Sequence, residues 1–82
     1  MNNSILYVAR DDWEYDLRSH FKSYLEACLY RQKCQMSWIN HVDYVWLITR
    51  NRKGRIVKQV NLTLLSNEQV EKELEGTGIP MK

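Results

Sequence analysis

The stretch from Val42 to Leu64 constrains the fold more than any other part of the chain, because it predicts a β-hairpin. At its centre, the run Asn51-Arg52-Lys53-Gly54 is typical of a type I turn followed by a glycine bulge, with Gly where a left-handed residue is needed. Such a turn pairs Asn51 with Arg55. That pair sets the register of both strands, and the register decides which side chains share a face.

Counting outward from this pair predicts one nearly apolar face, which we expect to meet a helix. Its members are Val42, Tyr44, Trp46, Ile48, Lys58, Val60, Leu62 and Leu64. The opposite face takes the alternate residues, namely Asp43, Val45, Leu47, Thr49, Val57, Gln59, Asn61 and Thr63. A slip of one residue would mix the two sets, so the pattern favours this register.

Residues 4–9 are rich in strand-forming side chains and predict a first strand, buried on both sides, at the centre of a small sheet. Asp11 or Asp12 is a good cap for a long helix that runs to about Gln35. Apolar side chains recur in it at three and four residues, as in a helix that lies on a core. They are Trp13, Leu17, Phe21, Tyr24, Leu25, Cys28 and Leu29, and the outer side takes Arg18, Lys22, Glu26, Arg31 and Lys33.

The run from Ser66 to Gln69 is a capping box that predicts a second, short helix, with Val70 and Leu74 as its apolar edge and Gly76 at its end. The predicted fold class is α+β, a small three-stranded sheet in β-α-β-β-α order. A right-handed crossover places the long helix on one face, and the short C-terminal helix packs on the same face. Residues 1–76 form a single domain, and residues 77–82 a flexible C-terminal tail.

Composition and cysteine usage bear on where in the cell the protein is located. No apolar run approaches the roughly 20 residues that a membrane span needs, and the N-terminus lacks the order of a secretory signal. Cys28 and Cys34 lie on different sides of the predicted helix, so we expect two free thiols, Cys28 buried and Cys34 half-exposed. These features favour a cytoplasmic location.

Catalytic and metal-binding patterns are missing from the sequence. His20 and His41 fall on different elements, and neither has a carboxylate or cysteine at metal-ligand spacing. The three glycines, Gly54, Gly76 and Gly78, form no phosphate-binding loop. We therefore expect no catalytic residue, no metal and no cofactor, and we expect that the protein is not an enzyme.

Exposed aromatic and apolar side chains favour a protein partner. A core of this size cannot readily enclose all nine aromatic residues. Tyr15 and Tyr30 fall off the helix stripe, and Trp38 lies in an ambiguous loop, where it either caps the core or reaches the surface as interface aromatics do. In the predicted register, Val45, Leu47 and Val57 form an apolar patch that no remaining element covers. We therefore expect a protein partner, or a second copy of the chain as in a homodimer, to bind through these six residues.

Nucleic acid is the alternative partner, because the hairpin tip carries the densest positive charge. The candidate residues are Arg50, Arg52, Lys53, Arg55 and Lys58, with Arg31 and Lys33 as further contributors. The net charge is only +2, however, and acidic clusters in residues 11–16 and 68–75 would repel a long phosphate backbone. The sequence carries no family motif, and its size is compatible with an accessory protein of a phage or mobile element. A non-enzymatic regulatory or accessory role through protein contact is therefore the leading hypothesis.

Overall fold

The computed structural model describes residues 2–10, 21–37 and 42–82. In chain order its elements are strand β1 (Asn3–Arg10), helix α1 (Tyr24–Ser37), strands β2 (Asp43–Arg50) and β3 (Ile56–Asn61), a 3-10 turn (Leu62–Leu64) and helix α2 (Asn67–Leu74). The three strands form one antiparallel sheet. The predicted α+β class and three-stranded sheet are confirmed.

The central strand of the sheet is β2, with β1 on one side and β3 on the other. The prediction that the first strand is central is therefore wrong. β1 pairs antiparallel with β2, Leu6 opposite Leu47 and Val8 opposite Val45. Because the crossover rule concerns parallel strands, it does not apply to this connection. The prediction that β1 is buried on both sides is confirmed, since Leu6, Tyr7, Val8 and Ala9 are all buried.

The hairpin turn has the predicted geometry. The amide of Asn51 donates to the carbonyl of Arg55 at 2.9 Å, and the amide of Gly54 donates to the carbonyl of Asn51 at 3.0 Å. Gly54 has φ of 80°, the left-handed conformation for which glycine is favoured.

Beyond the turn, a β-bulge overturns the predicted register. Arg50 lies opposite Ile56, but the next pair is Thr49 with Lys58, so Val57 is the extra residue. From there on Leu47 faces Val60, whereas the predicted partner of Leu47 was Gln59. The predicted pairing of Trp46 with Val60 is therefore wrong.

The bulge has a physical reason in the third strand. β1 places Leu6 and Val8 beside Leu47 and Val45, so the core must lie on that face of β2. The unbulged register would set polar Gln59 and Asn61 against these residues, whereas one inserted residue brings Val60 and Leu62 to the core face. The face of β2 predicted to lie open is consequently the core face.

α1 begins later than predicted. The proposed caps Asp11 and Asp12 lie outside the described residues, but residues 21–23 are not helical, which rules out one continuous helix to Gln35. The hydroxyl of Ser23 accepts from the amide of Glu26 at 3.1 Å, and a carboxylate oxygen of Glu26 accepts from the amide of Lys22 at 2.9 Å. This reciprocal arrangement is a variant of the capping box, and it starts the helix at Tyr24.

The helix also faces the core with a different side. Ala27 is fully buried, with Tyr24 and Cys28 packed beside it, but Leu25 and Leu29 are exposed. The predicted stripe is thus wrong at these two leucines.

The C-terminal segment docks onto the N-terminus of α1. The amides of Tyr24 and Leu25 each donate at 2.9 Å, to the carbonyls of Pro80 and Met81 respectively. Ile79 and Met81 pack against the core. The first amides of a helix have no partner within it, so these carbonyls satisfy two of them. The structure thus attaches a segment that was predicted to be a flexible tail.

α2 has the predicted capping box, in which Ser66 and Gln69 exchange hydrogen bonds between side chain and backbone. Its buried residues, Val70 and Leu74, share one core with α1 and the sheet, so both helices pack on the same face. Neither helix in the described ranges is long and apolar enough to cross a bilayer.

Candidate interaction surfaces

The hairpin tip is a hydrogen-bonded turn that presents its cations to solvent. The side-chain oxygen of Asn51 accepts from the amide of Lys53 at 2.9 Å and from that of Arg55 at 3.1 Å. These bonds hold the backbone, while Arg52, Lys53 and Arg55 are exposed. Within the described ranges, no hydrogen bond or ion pair engages these three cationic groups.

The other two predicted members of the basic cluster are engaged elsewhere. Arg50 donates from Nη1 to the Tyr7 hydroxyl at 2.8 Å, and its guanidinium lies 5.7 Å from the centre of the Tyr7 ring. Lys58 Nζ lies 2.7 Å from a carboxylate oxygen of Glu73 on α2. The structure therefore brings together three of the five cations, which have no partner in the described part of the chain, and we call this cluster the basic tip (Arg52, Lys53 and Arg55).

The outer edge of β3 is the second exposed surface. The side chains of residues 56–59 are all exposed, including apolar Ile56 at 44% and Val57 at 52%. Asn51 and Arg55 form a hydrogen-bonded pair, so strand alternation turns the backbone N–H and C=O of the next residue, Ile56, away from β2. We call this surface the β3 edge (residues 56–60).

The two outer strands of the sheet differ sharply in exposure. On β1 four successive residues, Leu6 to Ala9, are buried, whereas on β3 four successive residues are exposed. An accessible edge strand is a template on which another extended chain can pair. Of the two outer strands in the described sheet, β3 offers that template.

The predicted protein-interface patch is wrong for two of its three members. Val45 and Leu47 are 0% and 1% exposed and lie in the core, because β1 sets Val8 and Leu6 beside them and the helices pack on this face of the sheet. Val57 is exposed, and it lies at the bulge on the β3 edge.

The three aromatic candidates receive less support. Trp38 and Tyr15 lie outside the described residues. Tyr30 is half-buried, and its ring lies 5.2 Å from that of Phe21 at an angle of 51°. The structure thus places Tyr30 beside another aromatic at the edge of the core.

Sequence reasoning missed the exposed Ile56, Leu25 and Leu29. The signal for the helix was present, since Ser23 and Glu26 have capping-box spacing and a start at Tyr24 rotates the expected core side. No local signal marked Ile56, because its exposure depends on where the sheet ends.

Arg31 was assigned to the outer side of the helix and is instead half-buried. Its Nε donates to the carbonyl of Asp43 at the start of β2, which ties α1 to the sheet. Lys33 is exposed on the same helix. Arg31 is therefore not free to add to the basic tip.

Tyr24 is a tyrosine whose acidity the fold changes. Burial, reinforced by a hydrogen bond with Cys28, raises the pKa of Tyr24 to about 12, although nearby Arg31 acts in the opposite direction. Cys28 and Cys34 are both free thiols, and both are partly buried. In the described part of the chain, no group of three His, Cys, Asp or Glu side chains could hold a metal ion.

A cavity of about 630 Å³ is an open groove between α2 and the C-terminal segment. Glu68, Glu71 and Lys72 line it above Leu74 and Met81, and its lining contains no histidine or cysteine. The groove therefore does not pair a nucleophile with a base.

The chain matches no protein-family model, no curated protein and no solved structure.

Proposed function

We propose that this protein is a small, non-enzymatic regulatory or accessory module that binds a protein partner along the β3 edge. The observation that carries the proposal is the contrast between buried β1 and exposed β3. An extended partner segment would satisfy the outward backbone groups of β3, while Ile56 and Val57 would bury their apolar surface against it.

Strand addition suits a chain of this size. Main-chain hydrogen bonds supply affinity without a deep pocket, and alternate side chains supply specificity. The bulge at Val57 limits how far the edge can pair before the ladder is interrupted. The partner segment is therefore short, covering the strand and not the whole sheet.

The test starts with an unbiased selection of displayed random peptides on the immobilised protein. Selected peptides should bind the wild type and lose at least tenfold in affinity for a Val57→Lys variant, because the edge then carries a long charged side chain in place of an apolar one. Leu29→Lys is the matched control, since Leu29 is 57% exposed on α1. Peptides that respond to Leu29→Lys and ignore Val57→Lys would place the surface on the helix instead.

Nucleic acid binding through the basic tip is the second candidate. It is favoured by the three cations without partners among the described residues, which are free to bind phosphates. Binding of this kind weakens with salt, with a logarithmic slope of about 0.9 for each phosphate that the protein neutralises on duplex DNA.

An Arg52→Ala, Lys53→Ala double variant should then reduce the salt slope by up to roughly two units on duplex DNA. The measurement is a titration of a labelled duplex at several salt concentrations. Micromolar binding at physiological salt that the double variant abolishes would favour this function over protein contact.

A further inference from the structure

On both arms of the hairpin near its turn, the charged residues of the sequence are all cationic, and Glu73 of α2 is the acidic partner of one of them, Lys58. Between Tyr44 and Asn67 the sequence contains five cations and no acidic residue. Arg50 and Lys58 are engaged with Tyr7 and Glu73, which leaves the basic tip as a cluster with no acidic partner among residues 2–10, 21–37 and 42–82. The tip adjoins the N-terminal end of β3.

We propose that the occupant of the β3 edge is an extended partner segment with apolar residues followed by acidic residues at its C-terminal end. This inference rests on the proposed function. Antiparallel pairing, the more stable arrangement per residue, sets the C-terminal end of the segment beside the N-terminal end of β3. Its carboxylates then lie next to Arg55 and the turn.

The apolar part of the segment follows from the two exposed side chains on the strand. Ile56 and Val57 are both β-branched and about half exposed. Cross-strand pairs of β-branched or aromatic residues stabilise two neighbouring strands. A segment with such residues opposite Ile56 and Val57 would cover them.

A second copy of the chain fits this surface less well. If two β3 strands paired antiparallel, the tip of one copy would lie beside residues 62–66 of the other. Those residues are Leu62, Thr63, Leu64, Leu65 and Ser66, and none is charged. The basic tip would remain uncompensated, whereas an acidic segment neutralises it. Nucleic acid, in turn, would use the tip but neither the backbone edge nor the apolar side chains.

The experiment compares synthetic probe peptides by fluorescence anisotropy with the full chain. The first probe, Thr-Val-Thr-Val-Thr-Asp-Glu-Asp, has blocked ends and acidic residues at its C-terminal end. A second carries the same acidic residues at its N-terminal end, a third has Ser in their place, and a fourth has Lys. A fifth repeats the first with alternate amides N-methylated, so that it cannot extend a β-ladder.

The first probe should bind about tenfold more tightly than the Ser probe, the gain expected from a few exposed ion pairs. The N-methylated probe and the Lys probe should bind at least tenfold more weakly than the first. An Arg52→Ser, Lys53→Ser variant should reduce the preference for acidic residues to about threefold or less. The control, Lys72→Ser with Lys82→Ser, removes the same charge from α2 and the C-terminus and should keep the preference.

Each contrary result overturns a stated part of the account. If the acidic and Ser probes bind with equal affinity, the inference that the partner segment is acidic is wrong, but the proposal that it binds along the β3 edge is not affected. Tighter binding of the N-terminally acidic probe overturns the antiparallel direction. Equal binding of the N-methylated probe overturns strand addition. If no probe binds and a single-stranded oligonucleotide does, both proposals fail.

Discussion

At the scale of single residues, Leu47 shows how completely the sheet face decides a side chain's role. It is 1% exposed and lies between Leu6 of β1 and Val60 of β3. Every neighbour in that row is apolar, so Leu47 is an anchor of the core. A charged side chain there would lose its hydration with no partner to replace it.

Leu47→Lys should therefore lower the free energy of unfolding by about 3 kcal/mol or more, because apolar packing is removed and a charge is buried. Urea denaturation followed by circular dichroism measures this change. Val57→Lys is the comparison and should stay within about 0.5 kcal/mol of the wild type, as exposed positions do. A Leu47→Lys protein as stable as the wild type would show that this sheet face is open.

The raised pKa of Tyr24 predicts that the folded protein loses stability at alkaline pH. Its pKa is about 12 in the folded protein, whereas a tyrosine in an unfolded chain ionises near pH ~10. Above that pH the unfolded state releases the proton first, so the contribution of Tyr24 to stability falls as the pH rises from the unfolded to the folded pKa. Below the unfolded pKa the contribution of Tyr24 to stability is fully present.

Tyr24→Phe should therefore flatten the decline in unfolding free energy from about pH 9 to about pH 11.5. The measurement is the urea midpoint of the wild type and of the variant at several pH values. Because the two proteins share all other tyrosines, the difference between them reports Tyr24 alone. Parallel declines would mean that Tyr24 ionises alike in both states.

At the scale of elements, the C-terminal segment is the partner of α1. Its carbonyls accept hydrogen bonds from the first amides of the helix, and Ile79 and Met81 add apolar packing. The two glycines before it, Gly76 and Gly78, both have positive φ, which lets the chain turn back after α2 toward α1.

Deletion of residues 79–82 should lower the free energy of unfolding by about 2 kcal/mol, the decrease expected from two half-buried side chains and two hydrogen bonds. Deleting Lys82 alone, which is exposed, is the control and should have little effect. Thermal unfolding of the two truncated chains distinguishes a docked segment from a flexible tail, whose removal would cost nothing.

What could be predicted at this scale depended on how local each signal was. The hairpin turn and the cap of α2 were correct, because Asn51, Gly54, Ser66 and Gln69 make their decisive hydrogen bonds within four residues. The bulge was not predictable from the hairpin alone, since its reason lies in β1. Pairing with Leu6 and Val8 of β1 sets which face of β2 is the core face, and the extra residue in β3 brings apolar side chains to that face.

At the scale of the whole molecule, one sheet face is closed by two helices and one sheet edge is open. Both helices share a core with β1 and β2, and the exposed strand, β3, runs directly from the basic tip. Exposed apolar side chains, backbone groups that point away from β2 and positive charge thus lie side by side. This combination is what the proposed partner segment would use.

The candidate site was only partly predictable for the same reason. The cluster of cations near the turn is visible in the sequence, and its exposed members follow from the turn type. Arg50 and Lys58, however, find their partners on β1 and α2, far away along the chain. Which edge of the sheet is open likewise follows from tertiary packing and not from strand composition.

Amide hydrogen exchange measured by NMR tests the central claim, the open β3 edge, most directly. In the free protein the amide of Ile56 should exchange fast, because it points away from β2, while that of Leu47 in the central strand should exchange slowly. Saturation with the acidic-ended probe peptide should slow amide exchange at Ile56 by at least tenfold and leave amide exchange at Leu47 unchanged. Slow exchange of Ile56 in the free protein, or no change at saturation, would contradict the account.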